Sequence, residues 1–166
     1  MTQISNNSIA FNANLANIHI VEKFIEEICD TYNIFNNFFG NILIAVSEAV
    51  ENAIIHGNNN DPETTVTVSF QNKPAGLYFT VSDEGKGFDT NNLPDPTDTN
   101  NSGSEGRGLF LIKSLADEVS FDNNGSTVHL LFKIASINHE LMIKRKKEIS
   151  NYFSGKPVQA STKPSS

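Results

Sequence analysis

Glu48 and Asn52 stand four residues apart in SEAVENAIIHG, a stretch of helical spacing, so one carboxylate and one amide oxygen share a helix face. A carboxylate so placed can take a proton from a hydroxyl or water. A neutral amide oxygen suits magnesium, a hard cation that keeps several waters and binds phosphates. Glu51 lies near the same face, and all three side chains also make an ordinary solvated helix side. A second segment, Asp83-Glu84-Gly85-Lys86-Gly87-Phe88, closes a strand with a carboxylate and turns on glycines. Asp83 can accept a hydrogen bond from an exocyclic amino group such as adenine's, while Gly85 and Gly87 let the backbone approach a flat ring. An Asp-rich turn also forms without any ligand. In the third segment, Gly106-Arg107-Gly108 is expected to precede a helix beginning at Leu109, so backbone amides and the positive end of the helix dipole would seat a phosphate. Arg107 reaches either phosphate or solvent. Together the three segments can wrap one magnesium nucleotide, and such a site prefers adenine to guanine. Neither a Gly-x-Gly-x-x-Gly turn nor a Gly-Lys-Ser/Thr ending occurs, which excludes the Rossmann and P-loop alternatives.

The elements that must hold these residues follow from periodicity. Ser8 to Ala13 reads as a short strand. Leu15 to Tyr32 is an expected amphipathic helix with Ile18, Val21, Phe24, Ile25 and Ile28 on one side. A second helix is expected from Asn36 to His56, ending at Gly57 as a C-cap glycine. Strands Thr64 to Gln71 and Gly76 to Ser82 alternate apolar and polar residues around the turn Asn72-Lys73-Pro74-Ala75. Residues 89 to 105 form a long polar loop with Leu93 as its only large apolar residue. A helix from Leu109 to Ala116 and strands Glu118 to Asp122 and Ser126 to Ile134 follow, the last two flanking Asn123-Asn124-Gly125, a hairpin signal. Ser126 alternates with Val128, Leu130 and Phe132, which turns its hydroxyl toward the helices and the nucleotide layer; a plain strand serine after a turn is the other reading. The fold class expected is α+β, a two-layer α/β sandwich with a mixed, mostly antiparallel sheet of about five strands and three helices on one face.

With 166 residues and 38% hydrophobic content, one ordinary core is expected, over residues 1–135, followed by a basic extension over 136–166, partly helical and then disordered. Residues 140–166 hold six of the twelve basic side chains against two acids, leaving six basic against seventeen acidic elsewhere. An acidic body argues against nucleic-acid binding by the main domain, and the basic run is a solvated face or a contact for an acidic partner. The polar opening has no signal-peptide pattern, and no run reads as a bilayer span, so a cytoplasmic protein without membrane contact is expected. Cys29 is expected to fill the core. His19, His129 and His139 have no ligand spacing, and His56 is expected to stabilise a helix end.

In order and spacing, SEAVENAIIHG, VSDEGKGF and GRGLFLIKSLADEV resemble the N, G1 and G2 boxes of the GHKL ATPase superfamily, most closely its anti-sigma-factor serine/threonine kinases, over residues 8–134. The resemblance implies the Bergerat fold with ATP and Mg2+ bound. It implies Glu48 as catalytic base, Asn52 holding the metal, Asp83 reading adenine beside Gly85 and Gly87, Ser126 assisting, and Gly106, Arg107, Gly108, Leu109 and Phe110 wrapping phosphates. Residues 89–105 would be a mobile ATP lid. The partners implied are a small antagonist protein as phosphorylation substrate and a sigma factor or similar regulator to be sequestered; a homodimer is left open. Members of the kinase group often carry an arginine just before the first G2 glycine, where this chain has Ser104 and Glu105, so Arg107 is the candidate substitute. The alternatives are a nucleotide-gated binding module without significant phosphotransfer and the ATP-binding domain of a histidine-kinase-like regulator. The latter is disfavoured because no helical segment with a phosphoacceptor histidine precedes the boxes in this sequence.

Overall fold

A computed structural model of the chain describes residues 2–5, 7–34, 36–86, 105–134 and 136–155. The chain divides into two compact units, Met1–Ile134 and Ala135–Ser166. In the first, alternating Val66, Val68 and Phe70 of β3 (Thr65–Lys73) and Leu77, Phe79 and Val81 of β4 (Gly76–Ser82) put every second side chain into the core. Together with β1 (Gln3–Ser5), β2 (Ser8–Asn12), β5 (Glu118–Asp122) and β6 (Thr127–Phe132) they form one six-stranded sheet, order β1-β2-β3-β4-β6-β5, with every pairing antiparallel. The expected α+β sandwich is observed, with one strand more than expected and with every neighbouring pair antiparallel where a mixed, mostly antiparallel sheet was expected. The added strand, β1, is three exposed residues paired Gln3↔Ala10 along an edge, too short and too polar to show alternation. Pro74 and Ala75 alone turn β3 into β4. Gly76 is required there, since its φ is +141° and a Cβ would lie 2.2 Å from the Phe132 carbonyl oxygen.

Helices cover the apolar side of the sheet. A 3-10 turn, Leu15–Asn17, is capped by Asn14, whose side-chain oxygen accepts the Ala16 N–H at 2.9 Å, and leads into α1 (Ile18–Thr31). This helix buries Val21, Phe24, Ile25 and Ile28, with Cys29 beside them. Burial pushes the Cys29 thiol up to about 11, so it stays protonated and packs as a small apolar group. Helix α2 (Asn36–Asn52) packs between α1 and α3 (Glu105–Leu115) and buries Ile42, Val46 and Val50, with Ile54 of the turn that follows it also buried. The stretch Asn37–Gly57 is, contrary to the sequence expectation, long and apolar enough to cross a membrane by length and composition. Its apolar residues are those of a central core helix in a two-layer domain, so the same composition is accounted for by packing.

Helix α2 does not end on a C-cap glycine. It passes into a π turn, Ala53–Gly57, capped by Asn58 at φ −94°, and Gly57 is not left-handed. Helix α3 begins at Glu105, so Gly106, Arg107 and Gly108 lie inside its first turn rather than ahead of it. On the face of the sheet away from the core, His129 bridges strands: its Nδ1 is 3.0 Å from Thr80 Oγ1 and its Nε2 is 2.8 Å from Asp122 Oδ2. In the second unit lies α4 (Ser136–Phe153), and residues 144–155 are exposed.

Candidate functional site

Helices α2 and α3 meet where their chemistry is concentrated. A Cβ added at Gly108 would lie 2.9 Å from Glu48 Oε2 and 3.2 Å from both Asn52 Oδ1 and Nδ2. A side chain at residue 108 would therefore have to displace the ends of the Glu48 and Asn52 side chains. The i, i+4 spacing brings Glu48 and Asn52 together, and α3 delivers the amides of its first turn, which lack intrahelical partners, to the same place.

Asp83 follows β4 directly and is held at several points. Its N–H donates to the Ser126 carbonyl at 2.9 Å, and its Oδ1 accepts the Gly85 N–H at 2.8 Å. Two glycines make this packing possible. A Cβ at Gly57 would lie 2.3 Å from Asp83 Oδ2, and one at Gly85 would lie 1.8 Å from the Gly57 carbonyl oxygen. Between Asp83 and Asn52 lies a small pocket of about 20 Å³, lined by Val81, Leu109, Ile112 and Val128 with Ser126. Its apolar lining with a carboxylate and an amide converging on it is the chemistry of a base-binding site, and a purine would need the pocket to open beyond the space enclosed here.

Burial raises the Glu48 carboxyl above its ordinary 4.5, and the neighbouring Glu51 charge adds to the rise. Burial likewise raises Asp83 above 3.8, with the Gly85 N–H opposing it. Both groups bind a proton more readily in the folded chain, so the stability associated with them is present at acid pH and lost as pH rises through the raised values. Glu48→Gln is thus expected to melt higher than the parent protein at pH 7, with the gap closing as pH falls below 4.5. Thermal unfolding followed by circular dichroism at both pH values checks this, and an equal gap at both contradicts it.

With this geometry in view, the family model described as "Histidine kinase-like ATPase domain" matches residues 11–132. The chain belongs to this histidine kinase-like ATPase family. It is also similar to proteins named "Anti-sigma F factor": that of Geobacillus kaustophilus (strain HTA426) is 40% identical over 100 residues, 57% of this chain and 68% of the relative. That of Geobacillus stearothermophilus is 40% identical over 95 residues, 54% and 65% of the two chains, so the match spans about two thirds of these relatives' length. A solved histidine kinase domain from Erythrobacter litoralis EL346 blue-light activated histidine kinase is 18% identical, with TM-score 0.45, over 74% of this chain and 64% of that one. The GHKL resemblance read from the three boxes is thereby borne out.

The family's expected site residues divide into three groups. Glu48, Asn52, Asp83, Gly85, Gly108 and Ser126 are brought together at or beside the pocket, Leu109 forms part of its wall, and Gly106 and Arg107 stand in the adjacent first turn of α3. Ser126 is not on β6 as expected. It ends the turn before it, because Asn123, Asn124 and Gly125 at φ 51°, 57° and 90° coil the chain there, and its hydroxyl donates to the Asn123 carbonyl at 2.9 Å. Phe110 is 53% exposed and Arg107 is also exposed, and neither lines the pocket. Gly87 and most of the expected lid, residues 89–104, lie outside the described residues. The sequence reading missed Gly57, which leaves no local signal beyond being a glycine at a helix end, and Asn58, which stands in a run of three asparagines.

Proposed function

We propose that the chain is an ATP-dependent serine/threonine kinase of the anti-sigma type, acting in the cytoplasm on a small antagonist protein and sequestering a sigma factor or similar regulator. The observation that carries this reading is the meeting of Glu48 and Asn52 at Gly108, beside the pocket that ends on Asp83. The names of the relatives, anti-sigma F factors, support the choice of partner class. In the proposed reaction the substrate serine oxygen bonds to the γ-phosphorus, the bond from that phosphorus to the β,γ-bridging oxygen breaks, and the serine proton passes to Glu48 as ADP leaves. Asp83 orients the nucleotide through adenine's amino group, and the first turn of α3 faces the phosphates.

The donor set fits magnesium. Asn52 offers a hard neutral oxygen next to a carboxylate, and the glycine at 108 lets the first turn of α3 come close to both. Among the described residues no three His, Cys, Asp or Glu side chains cluster to hold a metal, so Asn52 would hold the ion together with phosphate oxygens and water. Bound there, Mg2+ would offset phosphate charge. Asn52→Ala is expected to weaken ATP binding about tenfold or more in the presence of Mg2+ and to change it little in chelator. Calorimetry giving the parent affinity in Mg2+ would remove Asn52 from this role.

A second reading, a nucleotide-gated binding module without significant transfer, is favoured by Ser104 and Glu105 standing where kinase relatives often place an arginine. Transfer of radiolabel from γ-labelled ATP to candidate antagonist proteins separates the two. Labelled antagonist is expected, and nucleotide-dependent binding without label would establish the module instead.

A further inference from the structure

Asn58 is one of three buried polar residues of the described chain, 4% exposed, in the short connection from the π turn to β3. Buried amides persist when both ends of the group are satisfied, and this one is. Its Nδ2 donates to the Thr65 carbonyl at 3.1 Å, and its Oδ1 accepts the Glu84 N–H at 2.9 Å. Glu84 completes a ring: its Oε2 accepts the Thr65 N–H at 2.6 Å. Three segments distant in sequence are thus tied at one point: the exit of the π turn, the first residue of β3, and the turn after β4. The backbone of Asn58 is itself anchored, its N–H donating to the Ala53 carbonyl at 2.8 Å and its carbonyl accepting the Asp61 N–H at 2.9 Å.

The Glu84 N–H belongs to the peptide that follows Asp83. Fixing that peptide sets ψ of Asp83, while the Ser126 carbonyl, by accepting the Asp83 N–H, fixes the peptide before it. The side-chain torsion is then set by the Gly85 N–H on Oδ1. The peptides on both sides of Asp83 and one of its carboxylate oxygens are thus each held by a hydrogen bond, and among the described residues Asn58 supplies the one that comes from another residue's side chain. The adjacent Gly57 packs against the same carboxylate, so two consecutive residues after α2 grip two consecutive residues after β4.

We infer that Asn58 is a positioning residue for base selection: by holding the Asp83–Glu84 peptide it aims the Asp83 carboxylate at the purine edge and sets the preference for adenine over guanine nucleotides. This rests on the reading that Asp83 accepts the adenine amino group. Asn suits this point because its short planar amide gives a donor to Thr65 and an acceptor to Glu84 at once. A site built on a hydrogen bond to a substrate amino group discriminates strongly only while its acceptor is held in place.

The test uses the full chain with ATP and GTP as probes, in Mg2+, by calorimetry, together with amide hydrogen exchange at Glu84. Asn58→Ala is expected to speed exchange at the Glu84 amide about tenfold or more and weaken ATP binding about tenfold. Its ATP-to-GTP preference is expected to shrink toward that of Asp83→Ala, while the ratio of ATP affinities with and without Mg2+ stays as in the parent. Asn58→Asp keeps an acceptor for Glu84 but sets a buried carboxylate oxygen against the Thr65 carbonyl, so it is expected to retain the base preference while its melting temperature falls. A purely structural role would lower melting in both variants and leave the preference intact in both. Should Asn58→Ala fold too poorly to assay, Asn58→Ser, whose hydroxyl is too short to reach Glu84, carries the same expectation. Parent-like exchange or parent-like preference in the Ala or Ser variant overturns the proposal. If Asp83→Ala itself keeps the parent preference, the reading of Asp83 has failed and this inference falls with it. If Asp83→Ala loses the preference and Asn58→Ala keeps it, only the role of Asn58 has failed.

Discussion

Replacing Glu48 by Gln is expected to lower phosphotransfer to the antagonist about a thousandfold, the scale set by loss of a positioned general base, while ATP affinity stays within about twofold. Gln keeps the length and shape that fit against Gly108, so the meeting of α2 and α3 is preserved and only the proton acceptor is removed. The carboxyl is suited to the task because burial first, and Glu51 second, raise it above its ordinary value, which strengthens it as a base. Transfer by the parent protein should accordingly rise with pH through that raised value and then level off. Removing the neighbouring charge with Glu51→Gln should move the rise to lower pH. Single-turnover transfer of labelled phosphate, with binding measured separately, reads both effects. Turnover at the parent rate in the Gln variant would eliminate Glu48 as the base, and absence of label in both proteins would point to the binding module.

Much of this arrangement was legible because two periodicities are strong. The run from Phe39 to Ile54 repeats at helical spacing, which alone aligns Glu48 with Asn52, and the alternation ending at Val81 delivers Asp83 at a strand terminus. The misses have physical causes of their own. A glycine that ends a helix and one that makes room for a carboxylate 26 residues later are identical in sequence, so Gly57 read as a cap. A π turn adds a residue without changing which residues are apolar, so periodicity passed through Ala53–Gly57 unchanged. Gly106 and Gly108 argue against helix by propensity, yet α3 includes both, since packing against α2 outweighs about 1 kcal/mol per glycine. Asn58 and Glu84 sit in turns where polar residues are ordinary, and nothing local announces that each is the other's partner.

Gly57→Ala is expected to weaken ATP binding about a hundredfold although residue 57 carries no chemistry of its own. The new methyl would stand 2.3 Å from both Cγ and Oδ2 of Asp83 and 2.7 Å from Oδ1, distances at which something must shift. Two movements can relieve it. Asp83 can rotate, which breaks its bond from the Gly85 N–H and swings the carboxylate off the pocket, or the π turn can retreat, which carries Asn52 and Ala53 on the opposite wall with it. Either one separates the purine end of the pocket from the metal end. The cost in folding should be modest by comparison, about 1–3 kcal/mol, the usual range for overpacking. The source of that cost can be isolated with a double-mutant cycle. Asp83→Gly removes the carboxylate the methyl would strike, so adding Gly57→Ala in that background should cost clearly less stability than in the parent. Equal costs in the two backgrounds would show that the methyl meets backbone instead. Parent-like ATP affinity in Gly57→Ala would mean that the position of the Asp83 carboxylate does not govern nucleotide binding.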